Sequence, residues 1–259
     1  METTKPLVSV IMPVYKARDF VEEAVRSVLS QTVSDLELLV IDDCSPDDSF
    51  EIVQPLAQAD SRVRLLRNER NMGVARTRNR GLELSRGKFV AFLDSDDAWY
   101  PDKLEEQIAL LEKTGAGVCY CAYRIVGTDG NPVKPDYLVP DRVSYEDLLK
   151  ENCILCSAMV VPGEIARRIK FNTEFFHEDY VLALDILREG HAAVGCTRLL
   201  MAWRYMDDTR SFDKRKAAAN RWRIYRDYLK LPVAKRVWVF GCYALAGARK
   251  YLRKRRENG

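Results

Sequence analysis

The first 125 residues alternate short apolar runs with amphipathic stretches, and that alternation confines the chain to one fold class. Leu7–Val14, Leu36–Ile41, Arg62–Leu66, Phe89–Leu93 and Gly117–Val126 read as strands with few polar interruptions. Between them, Asp19–Gln31, a segment opening at Ser45-Pro46, Gly73–Leu84 and Pro101–Lys113 read as helices. In the first of these, Phe20, Val21, Ala24, Val25, Val28 and Leu29 form one apolar stripe, and Asp19 with Glu22 fits a capping box. Ser45 fits an N-cap with Pro46 in the first turn. Apolar strands joined by helices imply a mostly parallel sheet covered on both faces. Ligands of such sheets bind outside the carboxyl ends of the strands.

Three of the strands end in chemically distinctive residues: Pro13-Val14-Tyr15, Asp42-Asp43 and Asp94-Ser95-Asp96-Asp97. A parallel sheet brings these ends to one crevice. Carboxylates so close together repel, and keeping them ionised is costly without a compensating charge. A hard divalent cation, Mg²⁺ or Mn²⁺, sharing its shell with a phosphate supplies that charge. The expectation is a metal–diphosphate site. The competing reading is a solvated acidic turn capping the helix near Pro101, with Asp42-Asp43 capping the element that follows it. Farther on, residues 127–142 read as a loop, Tyr145–Leu149 and Pro162–Ile169 as helices, and Ile154–Val161 as a strand between them. Phe175–Asp179 leads into a helix over Tyr180–Glu189, and the chain is helical from Asp213 onward.

These residues carry a family resemblance. Val8-Ser9-Val10-Ile11-Met12-Pro13-Val14-Tyr15, Ser27-Val28-Leu29-Ser30-Gln31-Thr32, Val40-Ile41-Asp42-Asp43-Cys44-Ser45, Asn71-x-Gly73 with Ala75, Arg78-Asn79-x-Gly81 and Phe92-Leu93-Asp94-Ser95-Asp96-Asp97 together resemble family 2 glycosyltransferases of the GT-A fold. The C-terminal part, with Trp222-x-x-Tyr225-Arg226 and a basic finish, resembles glycosyltransferases of teichuronic acid and related surface polysaccharide assembly. The resemblance implies a GT-A (Rossmann-like), mostly parallel mixed sheet flanked by helices, a nucleotide-sugar donor, usually a UDP-sugar, and transfer with inversion. It implies that Pro13, Tyr15 and Asp43 line the nucleoside pocket, with Asp42 beside them and Arg78 approaching the nucleotide. Asp94 and Ser95 would lie near ribose and diphosphate; Asp96 would hold the metal, helped by Asp94 and Asp97. Glu178-Asp179 matches the acidic pair that supplies the catalytic base, with Asp179 as the base. Read without the resemblance, the pair is ordinary acidity at a helix N-terminus. In Trp203-Arg204-Tyr205-Met206 the family's frequent Arg-x-His becomes Arg-x-Met, so Arg204 is the expected diphosphate contact, and His177, just before Glu178, reads either as a partial replacement for the missing imidazole or as a solvated or structural histidine.

Charge is distributed unevenly. The net +3 of the chain divides into +13 over residues 210–259 (16 Lys/Arg, 3 Asp/Glu) and −10 over the rest. Within the tail, apolar Val237–Ala248 lies between Lys235-Arg236 and Arg249-Lys250 with Arg253–Arg256. It is far shorter than the roughly 20 residues that span a bilayer. A basic helix with aromatic and aliphatic residues suits an anionic membrane face, where a lipid-linked acceptor would lie; packing on the body of the protein or on a second subunit is the competing use. No nucleic-acid-binding motif accompanies the charge. The N-terminus has no signal-peptide core, so a cytosolic protein, peripheral on the inner membrane face, is expected. The seven cysteines read as reduced, packed thiols, and a zinc site from Cys119-x-Cys121 and Cys153-x-x-Cys156 as the weaker alternative.

The expected layout is thus a catalytic domain over 1–210, its nucleotide-sugar half in 1–125 and its acceptor half in 126–210, followed by a basic amphipathic helical extension over 211–259. The expected function is a metal-dependent inverting glycosyltransferase acting on a surface polysaccharide or its lipid-linked precursor. Two alternatives stand beside it: a nucleotide-sugar-binding scaffold without turnover, and a sugar nucleotidyltransferase, which would normally carry a Gly-rich basic loop where Met12-Pro13-Val14-Tyr15 stands.

Overall fold

The structure, a computed structural model, describes residues 5–206 and 214–257, with side chains in the second stretch described over 215–247. Asp213, the expected boundary at 210–211 and the side chains of Arg249–Arg256 lie outside the described residues. In chain order the elements are β1 (Val8–Val14), α1 (Val21–Leu29), β2 (Leu36–Asp42), α2 (Ser49–Ala59), β3 (Val63–Arg67), α3 (Val74–Leu84), β4 (Phe89–Phe92), β5 (Ala98–Trp99) and α4 (Lys103–Thr114). There follow β6 (Val118–Val126), β7 (Pro132–Tyr137), β8 (Arg142–Val143), α5 (Tyr145–Lys150), β9 (Val160–Pro162), α6 (Gly163–Ile169), α7 (Glu178–Arg188), β10 (Ala193–Arg204), α8 (Lys214–Arg223) and α9 (Val233–Glu257).

One mixed sheet runs β3-β2-β1-β4-β9-β6-β10-β5, with β7 paired to β6 and β8 to β10. The β3-β2-β1-β4 half is parallel. Every residue of β1 and β2 is buried, as expected of central strands covered on both faces. Val21 and Val28 of α1, Val53 of α2 and Leu104 and Leu111 of α4 build one helical layer. Leu82 of α3, Leu148 of α5, Ile165 of α6 and Tyr180 of α7 build the other. Cys119 and Cys121 belong to the first layer and Cys153 and Cys156 to the second, so the four thiols do not converge on a zinc ion. Burial pushes the Cys119 and Cys121 thiols up to about 12, as packed neutral groups.

Several expected elements shift. The capping box at Asp19 is not made; α1 begins after Phe20 with no side-chain cap. Ser45 does not open α2, because its hydroxyl is drawn into the turn: it accepts from Lys16 N at 2.8 Å and donates to Asp47 at 2.5 Å, and the helix starts at Ser49. A reciprocal capping box does form at Ser144 and Asp147. The loop expected over 127–142 contains β7, an exposed edge strand whose Pro132 and Pro135 mask its propensity. The strand expected over Ile154–Val161 is reduced to β9, preceded by a single 3-10 turn at Cys156–Ala158. β10, interrupted by two register shifts against β6, has no counterpart in the sequence reading.

The fold opens a crevice where strand order turns back on itself. β1 pairs β2 on one side as far as Val14/Asp42, but pairs β4 on the other only as far as Ile11/Phe92. Pro13 lacks the N–H that could extend a ladder, and the ends of β1 and β4 separate there. α3 lies close over β1 because residue 81 is glycine; a Cβ there would come within 2.5 Å of the Ile11 side chain. That approach carries Arg78, one turn earlier, to the mouth of the crevice.

Candidate active site

The acidic turn after β4 is held from several directions. Asp94 N donates to Ser157 Oγ at 3.0 Å, and Trp99 Nε1 fixes the same residue through its carbonyl at 2.9 Å. Asp97 N donates to Asp94 O at 3.1 Å and closes the turn. Burial, and next the neighbouring charge of Asp94, push the Asp96 carboxyl up to about 6. Ser95 is buried within the turn.

Arg78 joins the two acidic groups that the sequence pattern singles out. Its side chain is 4% exposed; Nη2 donates to Asp94 in a short ion pair, and Nη1 donates to Glu178 Oε1 at 2.6 Å. The guanidinium also lies 5.3 Å from the Phe171 ring centroid. Glu178 and Asp179 occupy the first turn of α7, where negative charge meets the positive end of the helix dipole. Asp179 Oδ1 accepts from Tyr180 N at 2.8 Å. Burial, reinforced by the charge of Glu178, pushes the Asp179 carboxyl up to about 6, close to the range suited to a general base. Asp94 and Glu178, 84 residues apart in sequence, thus face one crevice through one arginine, with Asp179 beside Glu178.

The side of the crevice where a nucleoside is expected carries Tyr15, Asp43 and the loop before α3. Tyr15 is 40% exposed beside buried Pro13. Asp43 accepts from Asn68 Nδ2 at 2.7 Å, from Met72 N at 2.8 Å and from Gly73 N at 2.8 Å. Gly73 has φ +85°, which explains the glycine of the Asn71-x-Gly73 pattern. Asp43 therefore shapes the wall of the pocket by ordering this loop.

Three expected site residues have other duties. Asp42 is fully buried, and its carboxylate accepts from Ser45 N and pairs with Arg67 Nε at 3.0 Å, so it braces the turn beneath Asp43. Asp97 is 2% exposed, and burial with the charges of Asp96 and Asp94 holds its carboxyl well above the usual range. Its Oδ1 accepts from Arg204 N at 2.9 Å, so this carboxyl braces the turn against β10. Arg204 is 3% exposed, and it donates to Asp96 O at 2.8 Å, Gly127 O at 3.1 Å and Glu23 Oε2 at 2.6 Å. These bonds tie the acidic turn to β10, α1 and the loop after β6. His177 also cannot supply a cation: burial, and next the charge of Arg221, push its imidazole down to about 4.

Among the described residues, no three His, Cys, Asp or Glu side chains form a metal cage. Asp94 and Asp96 supply two carboxylates, and the charge of Asp94 raises the proton affinity of Asp96, an arrangement that a divalent cation relieves. Two carboxylates fit Mg²⁺ or Mn²⁺, which keep water ligands and share substrate phosphates.

The C-terminal helices are packed on this architecture. Ile224 and Tyr225 are fully buried in the core beneath α5 and α7, and Val239 joins them. The Tyr225 hydroxyl donates to Leu149 O, Tyr228 to Asp185 at 2.6 Å, and Trp222 meets Phe240 edge to face at 5.2 Å. Of the tail aromatics, Tyr225 is therefore a core residue, and Tyr228 and Phe240 pack against the same core. Sequence reasoning did not single out Ser157, which supports Asp94, or Asn220, whose side chain contacts Phe176; neither lies in a motif.

A model of glycosyl transferase family 2 matches residues 9–175. The chain is 35% identical over 252 residues to TuaG of Bacillus subtilis (strain 168), a glycosyltransferase named for teichuronic acid biosynthesis, covering 97% of this chain and 100% of that protein. It is 35% identical over 248 residues to WfgD of Escherichia coli, a UDP-Glc:alpha-D-GlcNAc-diphosphoundecaprenol beta-1,3-glucosyltransferase, covering 95% of each. Among solved structures, the mannosyltransferase PcManGT of Pyrobaculum calidifontis, in complex with GDP-Man and Mn²⁺, superposes with a TM-score of 0.70 at 19% identity, covering 96% of this chain and 76% of that one. S. aureus TarS 1–349 with UDP-GlcNAc superposes with a TM-score of 0.68 at 18% identity, covering 92% and 71%. The two structures share the fold.

Proposed function

Because the chain belongs to glycosyl transferase family 2, we propose that it is a metal-dependent, inverting enzyme that moves a sugar from a UDP-sugar to a hydroxyl of a surface polysaccharide or its lipid-linked precursor. The observation that carries this reading is the pairing, through Arg78, of Asp94 in the acidic turn with the first turn of α7 that holds Asp179. In the proposed reaction the acceptor hydroxyl loses its proton to Asp179, and its oxygen attacks the anomeric carbon. The bond from that carbon to the diphosphate breaks on the opposite face, and the nucleoside diphosphate leaves with the bonding electrons. Inversion needs no protein nucleophile. Asp96 and Asp94 would hold the Mg²⁺ or Mn²⁺, which as a Lewis acid neutralises charge on the leaving diphosphate. A UDP-sugar is favoured as donor because WfgD is named for UDP-Glc and TarS is in complex with UDP-GlcNAc.

The test is calorimetric titration with UDP, first with Mn²⁺ and then with EDTA. Binding is expected to weaken at least tenfold in EDTA and in Asp96→Ala. Tight binding unaffected by either change removes the metal from the proposal, and preference for another nucleoside diphosphate changes the donor. Binding with no turnover on any nucleotide sugar would instead favour the scaffold reading.

The same proposal places the enzyme at an anionic membrane surface. No helix of the described residues is long and apolar enough to cross a membrane. On α9, however, Val237, Trp238 and Leu245 are 57%, 67% and 62% exposed at helical spacing, and the sequence on both sides of them is basic. Such a face suits a helix lying in the headgroup region. Co-sedimentation with vesicles containing phosphatidylglycerol is expected for the wild-type chain, weakened by salt and reduced at least fivefold in Val237→Ser/Trp238→Ser/Leu245→Ser. Equal sedimentation of the variant would remove the membrane from this reading and leave a second copy of the chain as the partner of that face.

A further inference from the structure

The turn that presents Glu178 and Asp179 is not held by its own helix. His177, the residue before α7, has φ +66°, a left-handed conformation that non-glycine residues seldom adopt, and α7 has no side-chain cap. A strained turn persists where its surroundings over-determine it. Here the surroundings come from the opposite end of the chain. Phe176 N donates to Asn220 Oδ1 at 3.1 Å, and Asn220 Nδ2 donates back to Phe176 O in a short hydrogen bond. Both polar groups of one peptide segment are thus matched by one buried side chain of α8. On the next residue, the Arg221 guanidinium lies 3.5 Å from the centroid of the Tyr180 ring, and Arg221 is 4% exposed. Tyr180 directly follows Asp179 and donates its backbone N–H to that carboxylate. From the donor side, Arg78 holds Glu178.

We propose that Asn220 and Arg221 are positioning residues for the catalytic base: α8 clamps Phe176 and Tyr180 on either side of Glu178-Asp179 and so sets where the base carboxylate meets the acceptor. The inference rests on the reading of Asp179 as the base. It assigns the C-terminal extension a part in the chemical step, separate from any contact with a membrane. The nucleoside pocket is made by the ends of β1 and β2 and the loop before α3, none of which Asn220 touches. Loss of the clamp therefore affects turnover while leaving the donor bound.

The experiment measures UDP release from UDP-glucose with water as acceptor. Water gives its proton to the base, its oxygen bonds to the anomeric carbon, and glucose and UDP result. In Asn220→Ala, kcat is expected to fall at least tenfold, with KM and the UDP dissociation constant within twofold of wild type and the thermal midpoint within a few degrees. Asn220→Asp, which keeps the acceptor for Phe176 N–H and loses the donor, is expected to have an intermediate kcat; if the alanine variant does not fold, this variant carries the comparison. A kcat within twofold of wild type in both variants overturns the inference, as does a parallel loss of turnover, UDP affinity and thermal midpoint. If the wild type binds UDP and releases none from UDP-glucose, while Asp179→Asn leaves turnover with other nucleotide sugars unchanged, the assignment of the base fails and the inference fails with it.

Discussion

Asp179→Asn is expected to lower turnover by about 10²–10⁴-fold, the usual contribution of a positioned general base, while UDP affinity stays within twofold. The amide has nearly the same shape and accepts the same hydrogen bond from Tyr180 N, but it cannot take up the acceptor's proton. The pH dependence follows from the same group. Glu178, Arg78, Asp94 and Cys156 face this carboxyl, and burial with the charge of Glu178 outweighs the opposing Arg78 and holds it at about 6. The base must be ionised, so kcat is expected to fall as pH drops below about 6. Stability runs the other way. The folded state binds this proton more tightly than the unfolded chain, whose carboxyl titrates near its ordinary 3.8. The resulting stabilisation is complete below that value and is lost as pH rises through about 6. At pH 8 the wild type carries an ionised carboxylate next to Glu178, and Asp179→Asn should melt at a higher temperature than wild type, with the advantage shrinking at pH 5. A variant that is inactive and also less stable at pH 8 would show that Asp179 is a structural group.

Arg78→Met should produce the largest loss of stability in the molecule. The side chain is nearly isosteric along its stem, but it abandons Asp94 and Glu178 in a crevice already rich in carboxylates. Removing one partner of a buried ion pair typically costs about 3–5 kcal/mol. Because Asp94 is 34% exposed and partly solvated, the lower end of that range is expected. Urea unfolding measures the loss, and activity should vanish with it, since neither the acidic turn nor the first turn of α7 retains its tether. Arg78→Lys should recover little, because an ammonium cannot make the two divergent contacts of a guanidinium. Unfolding of Arg78→Met at the wild-type urea midpoint would mean that the bridge is not formed in solution.

The strands and helices of the nucleotide-binding half were readable because each carries its own pattern: unbroken burial in β1 and β2, a stripe in α1. The acidic residues that matter were readable too, as residue types at strand ends. Their roles were harder to read. Asp94, Asp96 and Asp97 are neighbours of one residue type in the sequence, yet Asp97 turns inward to Arg204 N, where burial pushes its carboxyl up, and Arg204, which a motif suggests for diphosphate, bonds Asp96 O, Gly127 O and Glu23. Which way a side chain points from a tight turn depends on what lies 107 residues away across the sheet. β7 and β10 escaped for a related reason: an edge strand with two prolines and a strand with register shifts take their pairing from neighbours, and local propensity does not announce it.

The amino-acid sequence by itself determined the parallel half of the sheet, the crevice at its carboxyl edge and the inventory of carboxylates that line it, because hydrophobic periodicity and strand-terminal chemistry are local properties. Only the tertiary structure decided which carboxylates are desolvated, which arginine bridges Asp94 and Glu178, and that a basic tail buries Ile224 and Tyr225 while its Asn220 holds the turn before Asp179. Those outcomes depend on desolvation and on partners distant in the chain, and neither is encoded in the spacing of residues along it.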